Sequence, residues 1–105
     1  MAAELLEFWA TGCKYSRGCH AAVERLGIVN DLGIVVRSID AWDAPYEVAA
    51  HRIVQLPTLV LVIDGLEQAR CSPRNASPAT ITAWVLEHLP ESFRPATRVT
   101  ADTMR

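Results

Sequence analysis

The sequence predicts a single α/β domain in which a four-stranded mixed sheet is flanked by helices. Two β-rich runs, ending at Trp9 and Ile39, are separated by a segment with helical period. A strand–helix–strand unit needs a crossover, so these strands should be parallel. Residues 59–63 are continuously apolar, which indicates a strand buried on both faces. Asp64-Gly65 is typical of a hairpin turn, so the last two strands should be antiparallel.

The elements follow in the order β-α-β-α-β-β-α. The first strand covers residues 4–9, and the first helix covers residues 16–26, with Gly27 as its C-terminal glycine. The buried stripe of this helix, at i, i+3, i+4 and i+7, comprises Cys19, Ala22, Val23 and Leu26. The second strand covers residues 33–39, where β-branched residues dominate.

Capping residues predict the start of the two later helices. Asp43 is expected to cap a helix that has Pro45 in its first turn and ends near residue 52. After the third strand, residues 66–71 form the returning strand of the hairpin. Ser77-Pro78 opens the last helix, whose inward stripe is expected to contain Ile81, Trp84, Val85 and His88. We therefore predict a domain over residues 1–89 and an irregular or disordered tail over residues 90–105.

The composition excludes several classes of function. The chain has 105 residues, of which 50% are hydrophobic and 21% are charged, as in ordinary globular domains. A net charge of −2 gives no basic footprint for nucleic acid. No apolar run approaches the roughly 18 residues of a membrane span, and two acids interrupt the N-terminal apolar stretch, unlike in a signal peptide. We therefore expect a cytoplasmic protein without nucleic-acid or membrane partners.

Cys13 is the candidate nucleophile. It lies where a strand ends and a helix begins, and a helix N-terminus carries partial positive charge and unpaired N–H groups. Both favour a thiolate, the species that attacks disulfides, and Lys14 adds a neighbouring cation. The alternative is a loop cysteine without a role.

Three short motifs resemble the thioredoxin family. Residues 8–16 read FWATGCKYS, which is similar to the family's active-site segment F-W-A-x-W-C-x-x-C. Leu56-Pro57-Thr58 resembles its cis-proline motif, and Asp64-Gly65 matches its hairpin turn. The resemblance covers about residues 5–89 and implies a thioredoxin fold of the short type.

The sequence departs from the family at two positions beside Cys13. Ser16 replaces the second cysteine, so the motif Cys-Lys-Tyr-Ser has one thiol and its serine cannot expel a bound product. Ser16 can instead hydrogen-bond the thiolate or cap the helix. Gly12 replaces a tryptophan and opens the surface beside Cys13. Monothiol glutaredoxins also use C-x-x-S, although their glycine-aspartate signature for glutathione is absent from this sequence.

The resemblance also implies roles for other residues. Glu7 matches a buried acid that shuttles protons, against the alternative of an exposed strand residue. Pro57 and its neighbours match a substrate groove, and Arg74 is a candidate for binding an anionic partner, against a solvated loop cation. The complete set of expected substrate-binding residues is Trp9, Lys14, Tyr15, Leu56, Pro57, Thr58 and Arg74.

The other two cysteines are better explained by packing. Cys19 lies on the apolar stripe about 9 Å of helix rise from Cys13, beyond the roughly 7 Å that a disulfide allows between Cα atoms. A bond between them would require the first helical turn to unwind. Cys71 is expected to be a small residue of a strand near the sheet edge. His20 adjoins Cys19 in no known zinc spacing, so we expect no metal site.

These observations lead to two hypotheses from different classes. The first is a monothiol thiol–disulfide oxidoreductase that acts through Cys13, with Ser16 and Glu7 assisting, on protein or small-molecule disulfides. A second thiol would come from glutathione, another small thiol or a partner such as a reductase, and no bound cofactor is expected. The alternative is a non-catalytic binding or chaperone-type module. An iron–sulfur cluster held between two copies, as in monothiol glutaredoxins, is a third hypothesis that we do not favour.

Overall fold

The computed structural model describes residues 2–93. The strands are β1 (Ala3–Trp9), β2 (Val35–Asp40), β3 (Thr58–Ile63) and β4 (Leu66–Cys71). The helices are α1 (Ser16–Val23), α2 (Ile28–Leu32), α3 (Pro45–Ala50) and α4 (Pro78–His88), and a short 3-10 helix covers Glu91–Phe93. Within these residues, no helix has the length and apolar character that crossing a membrane requires.

The sheet has four strands in the order β2-β1-β3-β4, and it is mixed, as the sequence predicts. β1 pairs with β2 in parallel and with β3 antiparallel, and β3 pairs antiparallel with β4. The hairpin turn is formed at Asp64 and Gly65, both with positive φ, which matches the prediction for that dipeptide. The ladder between β3 and β4 carries a bulge between Leu61 and Val62.

Both faces of the sheet are covered, and β3 shows this most directly. All six of its residues are buried. Leu59, Leu61 and Ile63 pack in one cluster with the buried residues of α1 and α4, whereas Val60 and Val62 pack in a second cluster on the opposite face with Ile53 and Leu56. Because a strand's side chains alternate between faces, this division explains the uninterrupted apolar run.

Several element boundaries differ from the prediction. The first helix ends at Val23, and the segment after Gly27 forms α2, which the sequence did not predict. Five residues between two glycines are too few to show a helical period. The predicted stripe of α1 is nevertheless confirmed, since all four of its members are buried.

The capping predictions have mixed outcomes. Ser77 caps α4 as predicted, and its hydroxyl accepts a hydrogen bond from the Thr80 backbone N–H while the Thr80 hydroxyl accepts from the Ser77 N–H. The predicted cap at Asp43 is wrong. The capping position of α3 is Ala44, without a side-chain hydrogen bond, because the turn closed by the bond from the Asp43 N–H to the Asp40 carbonyl holds Asp43 one residue before that position.

The C-terminal part of α4 also differs in detail. Ile81 and Val85 are buried as predicted, Trp84 and His88 are half-buried, and Leu89 is an additional buried residue. The predicted irregular tail begins with the 3-10 helix, and its Phe93 packs against the core. Residues 94–105 of that predicted tail lie outside the described residues.

Candidate active site

Three chain segments meet at the same end of the sheet. β1 ends there at Trp9, and Phe8 pairs with Thr58 at the start of β3, which is antiparallel to β1. Cys71, at the end of β4, pairs with Leu59. The loop that carries Cys13, the segment around Pro57 and the segment after Cys71 therefore lie at the same end of the sheet. This arrangement brings together the segments that the sequence singles out.

Cys13 occupies the turn between β1 and α1. Its N–H donates to the Ala10 carbonyl at 3.2 Å, and its own carbonyl accepts from the Ser16 N–H at 3.2 Å. The thiol is free and partly accessible. The capping position of α1 is Tyr15, without a side-chain hydrogen bond, so no side chain competes for the partial positive charge at this helix start.

Ser16 is the first residue of α1 and is fully buried. Its hydroxyl has no hydrogen-bond partner, neither the helix N-terminus nor Cys13. The cap that the sequence predicts at this position is therefore not formed. A buried hydroxyl without a partner is unfavourable by about 1–3 kcal/mol. The position that holds the second thiol in C-x-x-C proteins is here closed to solvent and has an unused polar atom.

The proline segment is fixed from two sides. The Leu56–Pro57 peptide bond is cis, and Pro57 is buried. The Thr58 hydroxyl donates a hydrogen bond to the Gln55 carbonyl at 2.7 Å, and its oxygen lies 2.9 Å from the Ser72 hydroxyl oxygen. Thr58 thus connects the start of β3 to the segment after β4. Its side chain is 3% exposed and supports the segment rather than facing solvent.

Two cations lie over one aromatic ring beside Cys13. The Lys14 Nζ is 5.3 Å from the centroid of the Tyr15 ring, and the Arg74 Cζ is 5.4 Å from the same centroid. Both distances are within the range of cation–π attraction. The structure therefore brings Arg74 to the Cys13 loop, as predicted. Residues 8–23 and 71–86, which flank the site, contain no Asp or Glu.

Cys19 and Cys71 have the packing roles that the sequence predicts. Burial raises the pKa of Cys19 to about 12, and the charge of Glu7 and the Cys71 thiol contribute to the same rise. Burial also raises the pKa of Cys71 to about 11. Both thiols are therefore poor nucleophiles near neutral pH. Over residues 2–93, no three His, Cys, Asp or Glu side chains are grouped to hold a metal ion.

Glu7 is fully buried in β1, so the alternative of an exposed strand residue is wrong. Its carboxylate lies 3.0 and 3.2 Å from the His20 Nδ1 and accepts a 2.7 Å hydrogen bond from the Ser38 hydroxyl. The His20 ring stacks on Trp9 with 3.8 Å between centroids and 5° between planes. Trp9, which the sequence predicts to contact substrate, therefore also packs against His20 within the domain.

Sequence reasoning missed His20 as a partner of Glu7. The two residues are on different elements, and no local pattern joins positions 13 residues apart. The available indication was a carboxylate inside an apolar strand, which needs a buried partner. A helix position next to the buried Cys19 is one place from which such a partner can come.

A groove beside Leu56 is a second feature that the sequence did not predict. It has a volume of about 530 Å³. Its mainly apolar lining includes Trp42, Val48, Ile53, Val54 and Leu56. Trp42 and Val54 are 74% and 90% exposed, respectively. The groove therefore extends the surface around the proline segment with apolar side chains open to solvent.

Comparison with known proteins decides the fold. No protein-family model matches the sequence, and no curated protein matches it significantly. The structure is similar to thioredoxin-2 of the malaria parasite (TM-score 0.70, 19% identity, 83% of this chain and 84% of that one). It is also similar to Fasciola hepatica thioredoxin (TM-score 0.69, 20% identity, 84% of this chain and 82% of that one). A third similar structure is Deadhead, a germline-specific thioredoxin of Drosophila melanogaster (TM-score 0.71, 18% identity, 84% of this chain and 82% of that one).

The chain has the thioredoxin fold. TM-scores of 0.69–0.71 establish this architecture, whereas identities of 18–20% leave the activity to be argued from the residues of the site. In this thioredoxin fold the candidate nucleophile lies on the loop after the central strand β1, next to β3 on one side and β2 on the other.

Proposed function

We propose that this chain is a thioredoxin-like thiol–disulfide oxidoreductase that acts through a single cysteine, Cys13. The observation that carries the proposal is the contrast among its three thiols. Cys13 is accessible at a helix start with two cations nearby, whereas burial raises the pKa of Cys19 and Cys71 far above neutral pH. One thiol is therefore equipped for exchange at the end of the sheet where the motif residues meet.

The proposed cycle has three exchange steps. The Cys13 thiolate attacks one sulfur of a substrate disulfide, a new S–S bond forms, and the other substrate sulfur leaves as a thiolate. The thiolate of an external small thiol or a partner protein then attacks the Cys13 sulfur of this mixed disulfide, so the second substrate sulfur leaves as a thiolate and Cys13 is now bonded to the external sulfur. A second external thiolate attacks that external sulfur and releases the Cys13 thiolate. The substrate gains two electrons, and the two external thiols lose two as they join in a disulfide. Glutathione is one thiol of this class, and the cycle uses no bound metal or cofactor.

Side chains around Cys13 have complementary parts in this proposal. Lys14 and Arg74, held over Tyr15, attract substrates with carboxylates near the disulfide. Pro57 and Leu56 form the wall along which the substrate chain lies. Glu7 serves as the buried acid–base group, and it exchanges protons with solvent through the partly exposed His20. Such a cycle suits a reducing compartment such as the cytoplasm, where free thiols are abundant.

The apolar groove supports a second candidate function. A cavity of about 530 Å³ with exposed apolar side chains is suited to holding a segment of another protein. A module that binds a partner there needs neither a second cysteine nor a reactive Cys13. Under this hypothesis the exchange chemistry would be absent, while binding would depend on Trp42.

Reduction of insulin and of a small-molecule disulfide, with a thiol as the electron donor, tests the proposal. We expect Cys13→Ser to reduce the rate to that of the uncatalysed reaction, because no other thiol is available near neutral pH. Cys71→Ser is the matched control and should keep the wild-type rate. Equal rates for wild type and Cys13→Ser would reject the oxidoreductase and leave the binding module.

A further inference from the structure

His20 joins the two sides of the loop that carries Cys13. Glu7 and Trp9 precede the loop on β1, and His20 follows it on α1. The His20 ring touches both, through the Nδ1 contacts to the Glu7 carboxylate and through the stack on Trp9. The base of the loop is therefore closed by a single side chain.

Both ring nitrogens of His20 face carboxylates. The Nδ1 lies 3.0 Å from Glu7, and the Nε2 lies 3.3 Å from the Glu24 carboxylate. A neutral imidazole donates from one nitrogen only, whereas the imidazolium donates from both. A cation over the face of Trp9 is also attracted by the indole ring. Only the imidazolium can therefore donate to both carboxylates.

The contact with Glu7 is the stronger of the two. Glu7 is 0% exposed and His20 is 22% exposed, so solvent screens their attraction little. Glu24 is 65% exposed, and ion pairs at that exposure contribute little. The principal charge that His20 compensates is therefore the buried one.

An uncompensated Glu7 would disturb the thiols around it. Next to burial, the Glu7 charge is the second cause of the raised pKa of Cys19, which shows that its field reaches α1. A negative charge disfavours a nearby thiolate. Cys13 precedes the same helix, on the loop whose base is formed by Glu7, Trp9 and His20.

We propose that His20 is a positioning residue for the Cys13 reaction: its imidazolium, held in place by the stack on Trp9, neutralises the buried Glu7 carboxylate below the Cys13 loop. The inference rests on the proposed function, because it assigns His20 a part in keeping Cys13 ready for exchange. The titratable groups near His20 are its partner Glu7 on β1, Glu24 and Cys19 on α1, and Cys71 on β4. The Ser38 hydroxyl on β2 also bonds to Glu7.

The test is the rate at which iodoacetamide alkylates Cys13 as a function of pH, with the labelled cysteine identified by peptide mapping. His20→Asn keeps a donor near Glu7 and removes the positive charge. We expect its Cys13 rate at pH 7 to fall about three- to tenfold, and its pH–rate profile to move to higher pH, because the buried negative charge is no longer offset.

His88→Asn is the matched control. His88 also lies on a helix beside a tryptophan, with 5.3 Å between the ring centroids, but its Nδ1 lies 2.9 Å from the Trp84 carbonyl oxygen, and it forms no ion pair with a carboxylate of residues 2–93. This variant should be alkylated like wild type. Equal Cys13 rates for wild type and His20→Asn would overturn the proposal.

A double variant separates charge from packing. Adding Glu7→Gln to His20→Asn removes the buried negative charge as well, so the Cys13 rate should return to within about twofold of wild type. A double variant as slow as His20→Asn would assign His20 a structural role only and overturn the proposal. If His20→Asn alone does not fold, as judged by circular dichroism, Glu7→Gln is compared with the double variant. The two must then be alkylated alike.

The alkylation readout is independent of catalysis. It reports the state of the Cys13 thiol whether or not the chain reduces disulfides. Failure of the oxidoreductase hypothesis would appear as equal disulfide reduction by wild type and Cys13→Ser. Failure of the His20 proposal would appear in the alkylation profiles alone.

Discussion

Cys13 and Cys19 are six residues apart on one segment of chain, yet they lie in opposite environments. Cys13 is partly exposed in a loop, with Lys14 and Arg74 over the adjoining Tyr15 ring. Cys19 is fully buried in the core, close enough to Glu7 for the charge of that carboxylate to raise its pKa. The difference shows that burial and local charge, rather than closeness in sequence, decide which thiol is available for exchange.

The largest effect is expected from a new thiol at position 16, between Cys13 and Cys19 in the sequence. Ser16→Cys restores a dithiol motif, and the introduced thiol lies at the start of α1, within one helical turn of Cys13. We expect release of the mixed disulfide to accelerate at least about tenfold, because the attack becomes intramolecular. Stopped-flow or quenched assays of product release measure this rate.

Ser16→Ala is the control for that experiment. It removes the unpartnered buried hydroxyl without adding a thiol, so product release should keep the wild-type rate. Acceleration by both variants would attribute the effect to packing at position 16. No acceleration by Ser16→Cys would contradict the prediction and show that a thiol buried at position 16 does not attack the mixed disulfide.

Reversing the charges of the two cations near Cys13 tests whether they select the substrate. With Lys14→Glu and Arg74→Glu combined, we expect exchange with a carboxylate-bearing disulfide to slow about tenfold at low ionic strength. Exchange with a neutral disulfide should change little. The deficit should shrink as salt is added, because exposed charges are screened.

Arg25→Glu is a suitable control, since Arg25 is an exposed cation beyond the other end of α1. Similar losses for this variant and for the double charge reversal would point to net charge rather than to the site. Equal losses for charged and neutral disulfides would remove Lys14 and Arg74 from substrate selection.

The smallest expected effect tests the buried side of the comparison. The pKa of Cys19 is raised from 9.0 to about 12 in the folded chain, so above pH 9 the unfolded chain loses this proton first. Stability should therefore fall as pH rises from 9 to 10.5, with a share of about 1–2 kcal/mol due to Cys19. Urea unfolding at several pH values measures this slope.

Cys19→Ala is the matched comparison for the pH series. It lowers stability at every pH through lost packing, but its stability should fall less steeply above pH 9. Parallel slopes for the two proteins would mean that Cys19 does not contribute to the pH dependence. Cys71, with its pKa raised to about 11, contributes in the same direction in both proteins.

The fold was accessible from the sequence wherever a pattern is local. The apolar run of β3, the dipeptide Asp64-Gly65 and the N-cap at Ser77 each depend on neighbouring residues, and the structure confirms them. α2 was not predicted because five residues carry no period, and the Asp43 cap failed because Asp43 belongs to the preceding turn, one residue before the capping position.

The candidate site divides in the same way. Cys13 and Arg74 follow from motifs and element order, which place their segments at one end of the sheet. The contact between Glu7 and His20 depends on how α1 lies over β1, and the groove beside Leu56 depends on the path of the chain after α3. Such long-range packing is not encoded in any short stretch of sequence.

The outer edge of the sheet has a consequence for association between copies. β4 is an edge strand with mostly exposed residues, a bulge in its ladder, and an ion pair in which the Arg70 Nε lies 2.7 Å from the Glu67 carboxylate. Charged side chains and bulges on an edge strand hinder pairing with a strand from another molecule. The backbone of β4 is thereby protected from strand addition and from the aggregation that such pairing begins.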